Sequence, residues 1–257
     1  MPVFTLRKWY LDVANAAGDA WIGYHAELRW HALHLSLTHQ LWRSAAEGVR
    51  ERGELGVQPE PQWSDADTLH WRPAGLEATW RRCHSPAISE TLLATDAGRV
   101  AWACVLPRAH ASIHTDQGAL EGMGYAECLE LSIAPWRLPI TALHWGRCHA
   151  AAHDLVWIRW EGGAPRSLAW LDGVRCDSAT ISETEVRAGR ARWECEERVT
   201  LRRGELGRTL LAPLRALRKA VPASALALDE HKWYARGRLT VDGVGEDAAA
   251  IAERVGW

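Results

Sequence analysis

The feature that most constrains this chain is a recurrence of short alternating runs, each closed by turn-forming residues. Residues 6–14 read as a strand, Asn15 to Asp19 as a turn, and 20–30 as the return strand. On the return strand Ile22, Tyr24, Ala26, Leu28 and Trp30 share one face, and Gly23, His25, Glu27 and Arg29 share the other. Residues 31–41 alternate again, which starts a meander. Further strand-like pieces follow at 68–72, 76–83, 90–94, 99–106, 109–114, 125–133, 143–148, 154–160, 167–171, 190–194, 198–202 and 230–241. Asp96-Ala-Gly98, Thr115 to Gly118 and Asp172-Gly173 sit between neighbours as hairpin turns. This pattern predicts an all-β, antiparallel fold.

A single eight-strand barrel does not use up 257 residues. Two packed meander barrels do, divided near residues 106–117, with an N-terminal barrel over 1–110 and a C-terminal one over 111–257. Arg7-Lys8-Trp9-Tyr10 is echoed by His231-Lys232-Trp233-Tyr234. The echo marks equivalent strands of a duplicated unit or is chance in a Trp-rich chain. Two segments depart from the β rhythm. Residues 43–64 carry Gly48, Gly53, Gly56, Pro59 and Pro61 and read as a long loop, a surface excursion or a lid. Residues 210–221 place Leu211, Leu214, Leu217 and Val221 near helical spacing, with Pro222 as a stop, and predict a short C-terminal amphipathic helix. Residues 247–255 read as a last helical turn or a strand.

Composition excludes several classes. A formal net charge of -2 gives no broad electrostatic hold on nucleic acid. No apolar run reaches the roughly 18 residues of a membrane span. The first residues show no basic segment followed by an apolar one, so the expectation is a cytoplasmic protein. Six cysteines are scattered without a Cys-x-x-Cys pair, which suits buried thiols better than a zinc or redox motif. The aromatic balance is unusual, with 16 Trp against 4 Tyr and 1 Phe. Those indoles either replace Phe in the core or line a cavity for an apolar ligand.

Residues 122–147 hold the densest group of ionisable, aromatic and backbone-special positions. Gly122 and Gly124 loosen the backbone ahead of a strand, and Pro135 and Pro139 bracket an apolar corner. Tyr125, Glu127, Leu129 and Leu131 share one strand face; Trp145 and Arg147 share another, with His144 opposite them. No Gly-x-Ser-x-Gly elbow, P-loop or Gly-x-Gly-x-x-Gly turn is present. The pairs His31/His34, His149/His153 and His110/His114 do not predict a metal site, and none is expected.

Lys8-Trp-Tyr-Leu-Asp12, Gly124-Tyr-Ala-Glu127, Pro135-Trp-Arg-Leu-Pro139, His144-Trp-Gly-Arg147 and His231 to Gly237 together resemble an uncharacterised bacterial family. That family is similar to the lipocalin-like superfamily of carotenoid 1,2-hydratase, tocopherol cyclase and AttH-type proteins. The resemblance spans most of the chain and implies two lipocalin-like barrels side by side. It also implies a hydrophobic ligand, often isoprenoid or polyketide, and acid-driven hydration, cyclisation or isomerisation without a cofactor.

Such chemistry needs a proton donor aimed at carbon in a water-poor pocket, and a carboxyl in an apolar site stays protonated near neutral pH. Glu127 is the first candidate, with Tyr125, Arg147 and Asp12 completing the catalytic set. The competing reading makes Glu127 a buried carboxylate paired with Arg147. Trp9, Tyr24, His25, Trp136, His144, Trp145 and Trp233 form the candidate ligand-lining set. The face with His25 and Glu27 is expected to be solvated, and His144 at the surface or satisfied locally. The rival function is a non-catalytic binding protein for a lipid or hydrophobic metabolite; barrels packed solid with Trp would instead suit a structural or interaction protein.

Overall fold

The computed structural model describes residues 4–209 and 226–257. The helix expected over 210–221 lies outside the described residues. The alternating pattern elsewhere builds two compact units, Met1–Arg137 and Leu138–Trp257, each a curled antiparallel sheet.

The first unit contains β1 (Phe4–Ala14), β2 (Ala20–Trp30), β3 (Leu33–Ser44), β4 (Gly48–Leu55), β5 (Gln62–Trp63), β6 (Thr68–Trp71), β7 (Leu76–Arg82), β8 (Ile88–Thr95), β9 (Gly98–Thr115) and β10 (Gly118–Leu131). The second contains β11 (Ile140–His149), β12 (Asp154–Gly162), β13 (Arg166–Leu171), β14 (Val174–Arg175), β15 (Ala179–Ile181), β16 (Glu185–Ala188), β17 (Ala191–Glu205), β18 (Asp229–Val241) and β19 (Val244–Gly256). The sheet orders run β4-β3-β2-β1-β10-β9-β7-β6-β5 and β14-β13-β12-β11-β19-β18-β17-β16-β15. In both, the first strand of the unit pairs with its last, while the flanking strands remain edges. Each unit is therefore a half-barrel. Its hydrogen-bonded ladder does not run full circle.

Several predicted strands merge. The pieces at 99–106 and 109–114 are one strand, β9, whose first half pairs with β8 and whose second half pairs with β7. Pro107 sits at the change of partner, where a missing N–H interrupts the ladder. The pieces at 190–194 and 198–202 likewise join in β17 through bulges at Cys195/Glu197 and Thr200/Arg202. Residues 247–255 are strand. The hairpin turns at Asp172-Gly173 and Asp242-Gly243 hold both residues at positive φ, from 51° to 82°, the twist that two-residue hairpins need.

The segment over 43–64 is loop only in part, over 45–47 and 56–61, and it is tied down rather than a free lid. β3 extends to Ser44, and β4 takes up residues 48–55. Beyond β4 the chain is stitched down as a strap between the two edge strands. Trp71 Nε1 donates to the Pro59 carbonyl at 2.8 Å, and Trp9 Nε1 donates to Glu60 Oε2 at 3.3 Å.

The Lys-Trp-Tyr echo falls in β1 and in β18, which occupy different places in the two sheet orders, so it does not mark equivalent strands. The two copies share something else. Trp9 and Trp233 point into their cores, while Tyr10 and Tyr234 are buried on the opposite face. The motif marks strands covered on both sides.

Tryptophan fills the interiors. In the first unit Trp21, Trp71 and Trp80 are fully buried, with Trp21 6.1 Å from Trp71 and 6.0 Å from Trp80 between ring centroids. Each indole removes about 150–250 Å² from water, about 4–6 kcal/mol by area. At Gly23 and Gly146 a neighbouring indole crowds the strand: a Cβ on Gly23 would meet Trp71 Cζ3 at 2.6 Å, and one on Gly146 would meet Trp157 Cε2 at 2.5 Å.

Candidate functional site

The face of the first sheet opposite its tryptophan core carries a buried lattice of tyrosines and carboxylates. Register sets it out: Tyr10 lies opposite Glu127, and Asp12 opposite Tyr125, across the β1–β10 pair. Each tyrosine donates to the carboxylate two residues along its own strand. Tyr10 Oη reaches Asp12 Oδ2 at 3.0 Å, and Tyr125 Oη reaches Glu127 Oε2 at 2.6 Å. From β9, Trp102 Nε1 donates to the same Glu127 oxygen at 2.5 Å. Tyr24 extends the group onto β2, with its ring 5.4 Å from that of Tyr10, and His39 follows on β3 at 6.1 Å. Asp12 and Tyr125 are fully buried, and Glu127 is 7% exposed. Burial holds the Tyr125 hydroxyl well above its ordinary pKa, with Cys104 and Glu127 adding to the shift, so it remains a donor.

The backbone explains why this lattice forms here. β10 carries irregularities between Gly124 and Ala126 and between Ala126 and Glu127, which re-aim the strand where Tyr125 and Glu127 project. Gly124 is required by crowding: a Cβ there would meet Ala111 Cβ at 2.6 Å, Trp80 Cδ1 at 2.7 Å and the Asp12 carbonyl at 2.8 Å. Trp80 Nε1 donates to that same carbonyl at 2.9 Å, so the core indole fixes the strand that carries Asp12.

Acid chemistry inside a barrel needs Glu127 on the inward face, a choice of face that the sequence leaves open. The interior is instead packed with Trp9, Leu11, Val13, Trp21, Trp71 and Trp80, and Glu127 and Asp12 lie on the other face. The assignment of β2 reverses in the same way. Trp21, Gly23 and His25 face the core, so His25 is 1% exposed rather than solvated, while Tyr24 belongs to the tyrosine lattice. Both faces are buried here, and polarity alone does not say which one turns inward.

The remaining candidates are spread over both units. Trp9 is a core residue of the first. Trp136 sits in a single 3-10 turn, Pro135–Arg137, edge-on to Phe4 at 5.6 Å and to Trp30 at 5.2 Å. In the second unit Trp233 is in the core, its ring 5.0 Å from that of His231. His144 is buried on the core side, 3.5 Å from Glu161, beside a water-sized cavity of about 10 Å³. Burial lowers its pKa, against Glu161. Trp145 and Arg147 lie on the opposite face, where Arg147 is fully buried.

That second face holds a group that sequence reasoning does not reveal. Glu230 is 1% exposed and lies 3.2 Å from Arg202 Nη1 through both carboxyl oxygens. Lys232 Nζ stands 4.0 Å from Glu230 and bonds Glu253 on β19, with the Trp145 ring 5.8 Å away. Burial raises the Glu230 carboxyl to about 7, and Glu253 pushes it the same way against Arg202 and Lys232. Two carboxyls near one another cannot both ionise cheaply, so this pair retains a proton near neutrality. A signal is present in the sequence: Glu230, Lys232, Tyr234 and Arg236 fall on alternate positions beside a core Trp. Tyr10 and Trp102 also join the site only in the structure, although Tyr10-Leu-Asp12 and Tyr125-Ala-Glu127 spell the same tyrosine-x-acid pattern.

Among the described residues no group of three or more His, Cys, Asp and Glu side chains is placed to hold a metal ion. Among them, too, no helix is long and apolar enough to cross a membrane.

No protein-family model matches the chain. No curated protein matches it by sequence. Solved structures do match in fold. A putative AttH from Nitrosomonas europaea superposes with a TM-score of 0.55 at 12% identity, covering 98% of this chain and 91% of the other. Kievitone hydratase from Nectria haematococca gives 0.58 at 8% identity, covering 98% and 88%. CghA gives 0.57 at 11% identity, covering 99% and 88%, and has also been solved with Sch210972. With two curled antiparallel sheets and nearly full-length superposition on these three proteins, the chain has the lipocalin-like fold of the AttH and hydratase structures.

Proposed function

We propose that this protein is a cofactor-independent hydratase, cyclase or isomerase acting on a hydrophobic small molecule of isoprenoid or polyketide type. The observation that carries this reading is the lattice of Asp12 and Glu127 with their tyrosine donors, two carboxyls buried among aromatic rings on one sheet face. The fold neighbours, one of them named a hydratase, support the reaction class.

The chemistry follows from what such groups do. A protonated carboxyl delivers its proton to one carbon of a C=C bond, leaving positive charge on the other. Aromatic faces stabilise that charge, and the carboxylate left behind opposes it. In hydration, water adds to the cation and its proton returns to the carboxylate. In cyclisation a second C=C bond attacks and a proton is lost from carbon, so the acid is regenerated without a cofactor. Glu127 takes the acid role, with Tyr125 and Trp102 fixing its carboxyl plane. Asp12 is the second carboxylate and Tyr10 its donor. Arg147 lies in the second unit, on the sheet face that carries Lys232 and Glu253. Glu230 is the alternative acid, because its carboxyl keeps a proton near pH 7.

The test begins with extraction of the purified protein and native mass spectrometry, which names a co-purifying ligand. Turnover of that ligand is then compared in the native protein and Glu127→Gln. A fall of about 100-fold or more in the folded variant supports Glu127 as the acid. Undiminished turnover removes Glu127 from the mechanism. A ligand bound but never converted makes the protein a carrier for a lipid or hydrophobic metabolite.

A further inference from the structure

The open end of the first half-barrel is a second chemical environment, separate from the tyrosine lattice. Strand register sets three tiers on the core-side face. At the rim, Arg29 lies opposite Thr5, and Arg99 is joined to Ser132 by a backbone hydrogen bond of 3.0 Å. In the middle tier Arg7 lies opposite both Glu27 and Glu130, and Ser36 lies opposite Glu27. In the deepest tier His25 sits between Trp9 and Thr38. Thr5, Arg29, Arg99 and Ser132 at the rim and Arg7, Glu27 and Glu130 in the middle tier line a cavity of about 280 Å³, with Ser36 and His25 next to that lining on β3 and β2.

Charge in this cavity is unevenly settled. Arg7 is held by Glu60 at 3.2 Å and Glu130 at 3.6 Å. Arg29, Arg99 and Glu27 make no ion pair among the described residues. The lining itself carries Arg7, Arg29 and Arg99 against Glu27 and Glu130, one positive charge in excess, and Arg29 and Arg99 are the two guanidinium groups left for an anion. Below them, His25 is 1% exposed and Ser36 8%, yet both His25 ring nitrogens and the Ser36 hydroxyl lack a hydrogen-bond partner among the described residues. Buried polar atoms are paired almost everywhere in native proteins, so three such atoms on adjoining strands point to a missing polar guest.

We propose that this open end binds a small hydroxycarboxylate, its carboxylate held by Arg29 and Arg99 and its hydroxyl read by Glu27, Ser36 and His25. Arg29 and Arg99 carry the charge, and Glu27 accepts from the hydroxyl. The neutral His25 ring offers one donor and one acceptor. The cavity has the volume of about nine water molecules at 30 Å³ each, which admits a molecule of about ten heavy atoms. The site is independent of the proposed acid chemistry, because its residues face the other side of β1 and β2.

The experiment titrates L-malate into the full-length protein and follows the ring resonances of His25, assigned by their loss in His25→Gln. Succinate, which lacks the hydroxyl, and glycerol, which lacks the carboxylates, are run in parallel. We expect a saturable shift with malate and weaker binding of both analogues. Arg29→Ala/Arg99→Ala should raise the malate Kd about tenfold or more with an unchanged unfolding midpoint, since both side chains are exposed. Ser36→Ala should weaken malate without costing stability, because its hydroxyl has no partner to lose. No saturable shift at His25 means that water alone satisfies these atoms and overturns the proposal. Equal malate affinity in the double arginine variant overturns it as well.

Discussion

Replacing Glu230 with Gln tests the proton held in the second sheet. The Glu230 carboxyl stands at about 7 in the folded protein against 4.5 for a free glutamate, with burial as the main cause and Glu253 next. A shift of about 2.5 units is worth about 3 kcal/mol at 1.36 kcal/mol per unit. The folded state binds this proton more tightly than the unfolded chain does. Its stabilisation is therefore complete below pH 4.5, declines as pH rises towards 7, and is gone above that. Glu230→Gln keeps the shape of the protonated form and cannot ionise. Urea unfolding measured from pH 4.5 to 7.5 should show the native protein losing about 3 kcal/mol more than the variant over this window. The carboxyl 13C resonance of Glu230 should titrate near pH 7. Equal pH slopes in the two proteins, or a titration midpoint near 4.5, would refute the reasoning, because burial between Arg202 and Lys232 would then be holding an ordinary carboxylate.

Two further outcomes come from packing. Gly23→Ala drives a methyl against the Trp21 ring and to 2.6 Å from Trp71, an overpacking that should cost about 1–3 kcal/mol in urea unfolding; a native-like midpoint would show that the indoles can step aside. All six cysteines are free, and Cys148 is fully buried with its thiol pKa pushed up by desolvation. Peptide mapping after iodoacetamide at pH 8 should find Cys148 unmodified until urea is added, and labelling as fast as at the half-buried Cys176 would contradict the buried placement.

The strands are legible in the sequence because period-2 alternation and Gly or Asp-Gly turns are local signals. Residues 20–30 can be read to the residue, since a turn closes them at one end and a new alternation begins at the other. The β9 strand reads as two pieces because Pro107 looks like a stop locally, and only the third dimension supplies a different partner on each side of it. Orientation is the least legible property. In β1, Tyr10 to Ala14 are buried without interruption, so the inward face cannot be chosen by polarity. Period-2 spacing puts Tyr125 and Glu127 on a common face, and they share one. Trp102, which completes that site, sits on another strand and is brought in only by the β9–β10 register. The Glu230 carboxyl is invisible for a similar reason: its raised pKa comes from burial and then from Glu253, which lies 23 positions away in sequence.

Each half-barrel joins its earliest strand to its latest, Leu6 to Leu131 in one and Ala142 to Gly256 in the other. During synthesis β1 must therefore wait for more than a hundred residues before its central neighbour exists. At bacterial or eukaryotic elongation rates of about 5–20 residues per second, that delay is about 6–25 s. Throughout it β1 presents an unpaired apolar flank, the kind of edge that recruits strands from other chains. Long-range closure of this kind also slows refolding in the test tube. The same pairing that seats Tyr10 and Asp12 beside β10 thus makes the newborn chain dependent on dilution or chaperone cover until its last hairpin emerges.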